Sequence, residues 1–217
     1  MAVVDFAAPG PGSAQSSRIH PWGSPKLGDD TVVKQLLTEQ QICEGVARVA
    51  DEIGAYYGDR PVSIIGVLTG SLVFLSDLIR KLNMPLRVGF VQADSYRGAT
   101  TPGPLEVKLD LLPEIHDRDV LLVDDIFDTG HTMAALVAQF GPRRPASLRS
   151  AVLLRKAGRV QVSLQPDHVA FEIPNEFVVG YGLDYQDLYR NLPHVAALEP
   201  ADLAAPAGVR LVEGPRR

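Results

Sequence analysis

LLVDDIFDTGHT, residues 121–132, says more than the rest of this chain. Leu121, Leu122 and Val123 form a short apolar run suited to a strand covered on both faces. The run ends in Asp124 and Asp125, and the carboxyl end of a strand is where open α/β sheets place ligands. Asp128, Thr129, Gly130, His131 and Thr132 then supply backbone N–H groups, two hydroxyls and a glycine at the start of a helix, an arrangement that cradles phosphate. Carboxylates accept hydrogen bonds from sugar hydroxyls, so paired acids beside an anion nest suit a ligand such as ribose 5-phosphate. The plainer alternative is that Asp128 or Thr129 caps a helix and that the two acids are solvated loop residues.

Outward from this stretch the chain alternates strand and helix. Thr38 with Gln41 matches a capping box, and Ile42, Val46, Val49, Ile53 and Tyr57 recur at helical spacing. Residues 62–68 read as a buried strand, TGS as a loop, residues 72–82 as a helix and residues 86–93 as a further strand. The stretch that follows, to Val107, is too polar and too rich in Gly and Pro to be regular and reads as a mobile loop. After the strand ending at Val123, a helix to about Phe140 and a strand ending near Leu154 continue the pattern. The alternation predicts an α/β fold, a mostly parallel twisted sheet flanked by helices. Residues 168–182 contain two short strand-like runs split by Pro174 and Asn175, which read as a small strand pair and an added subdomain. Residues 1–26, rich in Pro, Gly, Ser and Ala, read as a flexible tail, and residues 27–217 as a single domain.

Composition narrows the function. With 217 residues, 46% hydrophobic and 22% charged, the chain can bury a full core without disulfide or structural metal. Its single cysteine, Cys43, fits a reducing cytoplasm. No apolar run approaches the ~20 residues of a membrane span, and the amino terminus lacks the pattern of an export signal. A net charge of −5 argues against a general nucleic-acid surface but not against a small anionic substrate. LLVDD alone also occurs beside P-loops, yet neither a P-loop nor a dinucleotide-binding glycine motif is present.

The segment 121–132 closely resembles the signature of the type I phosphoribosyltransferases. The resemblance extends over roughly residues 35–198 and is nearest to the hypoxanthine-guanine type. It implies the type I fold with a small hood subdomain, drawn from the N-terminal segment and about residues 160–200. It also implies that Asp124 and Asp125 hold the ribose hydroxyls, that residues 128–132 hold the 5-phosphate, and that Asp128 acts as the general acid/base. GVLTGS, residues 66–71, matches the family's first loop, where Leu68, Thr69 and Gly70 would bind pyrophosphate through backbone amides turned by a cis Leu68–Thr69 peptide. Many relatives carry lysine where this chain has Thr69, and Lys or Arg where it has His131. Ser95 and Tyr96 match the family's mobile lid. In LLRK, residues 153–156, Lys156 matches the cation that contacts the 6-oxo group of a purine, with Arg155 as its neighbour on the opposite face of a strand.

FVVGYGLDY, residues 177–185, is the other strong match. By resemblance Phe177 would stack on the purine and Val178 would meet its edge, although unaided both read as core residues. Asp184 would hold Mg²⁺ through water, with Asp124 and Asp125 as further metal candidates, and Arg190 would pair with pyrophosphate. The implied reaction is purine salvage: transfer of 5-phosphoribose from phosphoribosyl pyrophosphate to hypoxanthine or guanine, with Mg²⁺ as cofactor, by a homodimer or homotetramer. Two alternatives stay open: another base (xanthine, adenine or orotate), or a nucleotide-sensing regulator with the same fold.

Overall fold

Two sheets share one core. The computed structural model describes residues 34–94 and 106–198, all within one compact unit. The amino-terminal tail, Ser95 and Tyr96, and the stretch from Glu199 onward lie outside the described residues.

The larger sheet has the order β4 (Glu106–Lys108), β3 (Leu86–Asp94), β2 (Val62–Leu68), β5 (Asp119–Phe127), β6 (Ser147–Lys156), β7 (His168–Ile173). All neighbours are parallel except β3 and β4. Helices α1 (Glu39–Tyr57) and α2 (Leu72–Ile79) cover one face, and α3 (His131–Phe140) covers the other. Alternation along β5 serves both layers. Leu121 and Val123 join the α1 and α2 side, whereas Val120 and Leu122 join the α3 side. A strand covered twice needs apolar residues in sequence, which explains the uninterrupted run.

The capping box at α1 is formed: Thr38 Oγ1 accepts from Gln41 N at 3.2 Å, and Thr38 N donates to Gln41 Oε1 at 2.9 Å. The periodic residues Ile42, Val46, Val49, Ile53 and Tyr57 are all buried. Phe171 of β7 packs against this helix at Gly45, where an added Cβ would lie 2.2 Å from the ring.

Four boundaries differ from the sequence expectation. Helix α2 stops at Ile79, three residues early, where the N–H groups of Lys81 and Leu82 bond to carbonyls three residues back, those of Leu78 and Ile79, instead of continuing the four-residue ladder. Glu106 and Val107, expected in an irregular loop, belong to β4, which supplies partners for the exposed edge of β3. Strand β5 continues four residues past Val123, since β6 runs beside it as far as Phe127↔Arg155, and β6 itself reaches Lys156. The runs in 168–182 are both strands, but they do not pair with each other. β7 joins β6 in the large sheet, whereas β8 (Phe177–Val179) joins β9 (Val195–Leu198) and β1 (Lys34–Leu37) in a small antiparallel sheet of order β1-β9-β8. Pro174, with no N–H to offer a ladder, stands where the chain leaves one sheet for the other.

From β2 the chain first goes outward to β3 and then returns to the other side of β2 for β5. The strand order therefore reverses between β2 and β5. A crevice opens at such a reversal, at the carboxyl ends of the strands. Among the described residues no helix is long and apolar enough to cross a membrane.

Candidate active site

A cleft of about 930 Å³ lies at this reversal. The carboxyl end of β5 supplies Asp124 and Asp125, and the loop after β2 supplies Leu68, Thr69 and Gly70. Burial, then the charge of neighbouring Asp125, pushes the Asp124 carboxyl well above the usual carboxylate range. Burial also raises Asp125. Each accepts a hydrogen bond from the next backbone N–H, Asp124 from Asp125 at 3.0 Å and Asp125 from Ile126 at 2.8 Å.

The Leu68–Thr69 peptide is cis. Gly70 is pressed against the acids so closely that an added Cβ would stand 1.7 Å from Asp125 Oδ2. From the other side Gly182, at φ +100, approaches Gly70, and a Cβ there would lie 2.2 Å from the Gly70 carbonyl oxygen. Backbone meets backbone at these glycines because no side chain fits.

The turn into α3 follows the same logic. Gly130, at φ +87, caps α3, and a Cβ on it would stand 2.4 Å from Val162 and 2.7 Å from Phe127. Thr132 lines the cleft, whereas Thr129, Gly130 and His131 shape the loop without lining it. His131 is exposed and its Nε2 is 3.1 Å from Gln161 Oε1.

The strand expected to read a base brings Lys156, not Arg155, into the cleft. Lys156 is buried, and its Nζ donates to Asp128 Oδ2 at 3.1 Å. Arg155 points to the other face, where it pairs with Glu172. Asp128 also accepts from Arg159 Nε at 2.9 Å. Partial burial raises the Asp128 carboxyl, but the bonds from Arg159 and Lys156 outweigh it and hold the group below its usual range.

Val178 is buried as a core reading expects, but Phe177 is not: it is 42% exposed and lines the cleft, with its ring edge-on to Tyr185 at 5.5 Å. An exposed aromatic beside polar groups is a platform for a ring.

The segment 180–192 closes the cleft. Arg190 donates through Nη1 to the Gly182 carbonyl at 2.8 Å, and its Nη2 lies 2.9 Å from Asp184. Asp184 is itself held by Asp187 N at 2.9 Å.

The structure thus brings together Asp124, Asp125, Asp128, Thr132, Leu68, Thr69, Gly70, Lys156, Phe177, Val178, Asp184 and Arg190 around one cleft. Sequence reading missed Gln92, Asp187 and Arg159. Gln92 could have been found as the polar residue that breaks the apolar run of β3, and Asp187 as the acid three residues before Arg190. Arg159 gave no periodic signal. Among the described residues no group of three or more His, Cys, Asp or Glu is arranged to hold a metal by itself.

Residues 32–186 match the phosphoribosyl transferase domain. A bifunctional protein TilS/HprT of Listeria innocua is 36% identical over 82% of this chain, although the chain spans only 28% of that protein. A hypoxanthine-guanine phosphoribosyltransferase of Mycobacterium tuberculosis is 37% identical, over 85% of this chain and 95% of that one. Among solved structures, a hypoxanthine phosphoribosyltransferase from Trypanosoma cruzi, in complex with the product IMP, is 41% identical with a TM-score of 0.72. It covers 77% of this chain, and 95% of that chain is covered.

Proposed function

The chain belongs to the phosphoribosyltransferase family, and on that premise we infer that it is a purine salvage enzyme of the hypoxanthine-guanine type. It transfers 5-phosphoribose from phosphoribosyl pyrophosphate to hypoxanthine or guanine, giving IMP or GMP and pyrophosphate. The observation that carries this reading is Lys156 paired with Asp128 in the cleft that Phe177 also lines. An ammonium is a donor only, so it selects a 6-oxo group and rejects a 6-amino group.

The remaining roles follow from chemistry. Asp124 and Asp125 accept bonds from the ribose hydroxyls, while the turn at residues 128–132 and the start of α3 hold the 5-phosphate. Phe177 stacks on the purine and Val178 meets its edge. The backbone of Leu68, Thr69 and Gly70 faces pyrophosphate, and Arg190 exchanges Asp184 for a pyrophosphate oxygen. The purine ring gives an N–H proton to Asp128, a ring nitrogen forms the bond to the anomeric carbon, and the bond to pyrophosphate breaks with its electron pair leaving on oxygen. Configuration at that carbon inverts. Orientation and fixed charges supply most of the acceleration.

Mg²⁺ fits the donor set. It prefers oxygen ligands, keeps several waters and binds through one or two carboxylates plus substrate phosphates, so Asp184, Asp124 and Asp125 suffice without a protein cage. When bound it would neutralise charge on the departing pyrophosphate. A reducing cytoplasm suits the free, exposed Cys43, and a closed dimer or tetramer is the assembly expected by analogy.

The test is pyrophosphate release from phosphoribosyl pyrophosphate and Mg²⁺ with hypoxanthine, guanine, xanthine, adenine and orotate supplied separately. Turnover confined to hypoxanthine and guanine is expected. Turnover with adenine or orotate instead would overturn the assignment of Lys156.

A further inference from the structure

We propose that Arg159 is a positioning residue, holding Oδ1 of Asp128 so that Oδ2 becomes the oxygen that exchanges a proton with the purine. The inference rests on the role given to Asp128 above. The two oxygens of Asp128 are served by different cations, Arg159 Nε on Oδ1 at 2.9 Å and Lys156 Nζ on Oδ2 at 3.1 Å. Lys156 is buried and lines the cleft, whereas Arg159 is 42% exposed at its side chain and does not line it. One cation is therefore within reach of a base and the other is not. A 6-oxo group that draws Lys156 away uncovers Oδ2. Arg159 stays, because it lies outside the cleft lining and its guanidinium cannot lose its charge. The carboxylate then keeps both its orientation and its negative charge at the moment the ring N–H proton moves to it.

Arg159 is not a free surface side chain. Gly158, at φ +71, turns the chain back after β6, and residues 159–162 then run along the outside of the turn at residues 128–131. Gln161 N donates to the Thr129 carbonyl at 3.0 Å, Gln161 Oε1 meets His131 Nε2, and Val162 packs against Gly130. Arg159 is the first contact of this strap. Among the described residues the other charged groups lining the cleft are Asp124, Asp125, Asp184, Asp187 and Arg190, and His131 is turned toward Gln161.

The experiment compares wild type, Arg159→Ala and Arg159→Lys in two measurements: kcat/KM for hypoxanthine against pH, and titration of the Asp128 carboxyl by NMR in the free protein. In Arg159→Ala the acid limb and the carboxyl titration both move up by about one pH unit, a roughly tenfold change in proton affinity, and kcat falls while KM for phosphoribosyl pyrophosphate stays put. Arg159→Lys restores the titration but only part of kcat, because a flexible ammonium does not reproduce the direction of Nε. An Asp128 titration that does not move in Arg159→Ala overturns the inference. A wild type without turnover on any base overturns the functional reading instead, and the NMR titration then still decides whether Arg159 controls Asp128.

Discussion

Gly70 is confined from two sides, by Asp125 Oδ2 on one and by Gly182 beneath its carbonyl on the other. A methyl group there has no space, so Gly70→Ala must displace either the loop after β2 or Asp125, the acid proposed to receive ribose. A misplacement near 1 Å is expected to lower kcat/KM about 100-fold with the fold intact by circular dichroism. Unchanged kinetics would show that the loop is not the pyrophosphate cradle. At this scale the sequence was informative where chemistry is local. The acids, the glycine turn and the choice between Arg155 and Lys156 could all be posed from residues alone. Alternation puts those two cations on opposite faces, but which face meets a ligand depends on the neighbouring strands, so only the sheet decides for Lys156. Read unaided, Phe177 misleads for the same reason: its apolarity reads as core, whereas the resemblance made it a purine platform, and in the structure it lines the cleft.

Elements with their own local signals were legible nearly to the residue. Helix α1 carries its start in the chain, with Thr38 and Gln41 satisfying otherwise unpaired amides, and a buried stripe at helical spacing. Replacing Thr38 by Ala should cost about 1 kcal/mol, lowering Tm by roughly 2–4 °C for a domain of this size. Calorimetry would read this, and because Thr38 does not line the cleft, kcat should not change. A larger loss would mean that the cap also anchors the small sheet that begins beside it. Sheet membership was not legible. β7 and β8 are four residues apart yet join different sheets, since each finds its partner far along the chain, β8 in residues 195–198. The strap at residues 159–162 escaped for the same reason. Its contacts reach back about thirty residues to the turn before α3, and nothing in its own pattern announces them.

Across the whole molecule, strand order explains why one cleft collects residues from five separated segments. The reversal between β2 and β5 brings the amides of the first loop beside the acids of β5, β6 adds Lys156, and β8 with the segment after it closes the remaining side. On the proposed reading net negative charge is no obstacle, because local groups would hold the ligands: a helix start, Lys156, Arg190 and carboxylates that would share Mg²⁺. On the proposed reading this cleft recognises a 6-oxopurine nucleotide through Lys156, and titration calorimetry of IMP against AMP is the experiment to make. IMP offers an acceptor to the ammonium and AMP a donor, so a charge-assisted bond of about 1.5–3 kcal/mol should make IMP at least tenfold tighter, with the preference lost in Lys156→Met. Equal binding of IMP and AMP by the wild type, or a preference that survives in Lys156→Met, would contradict it.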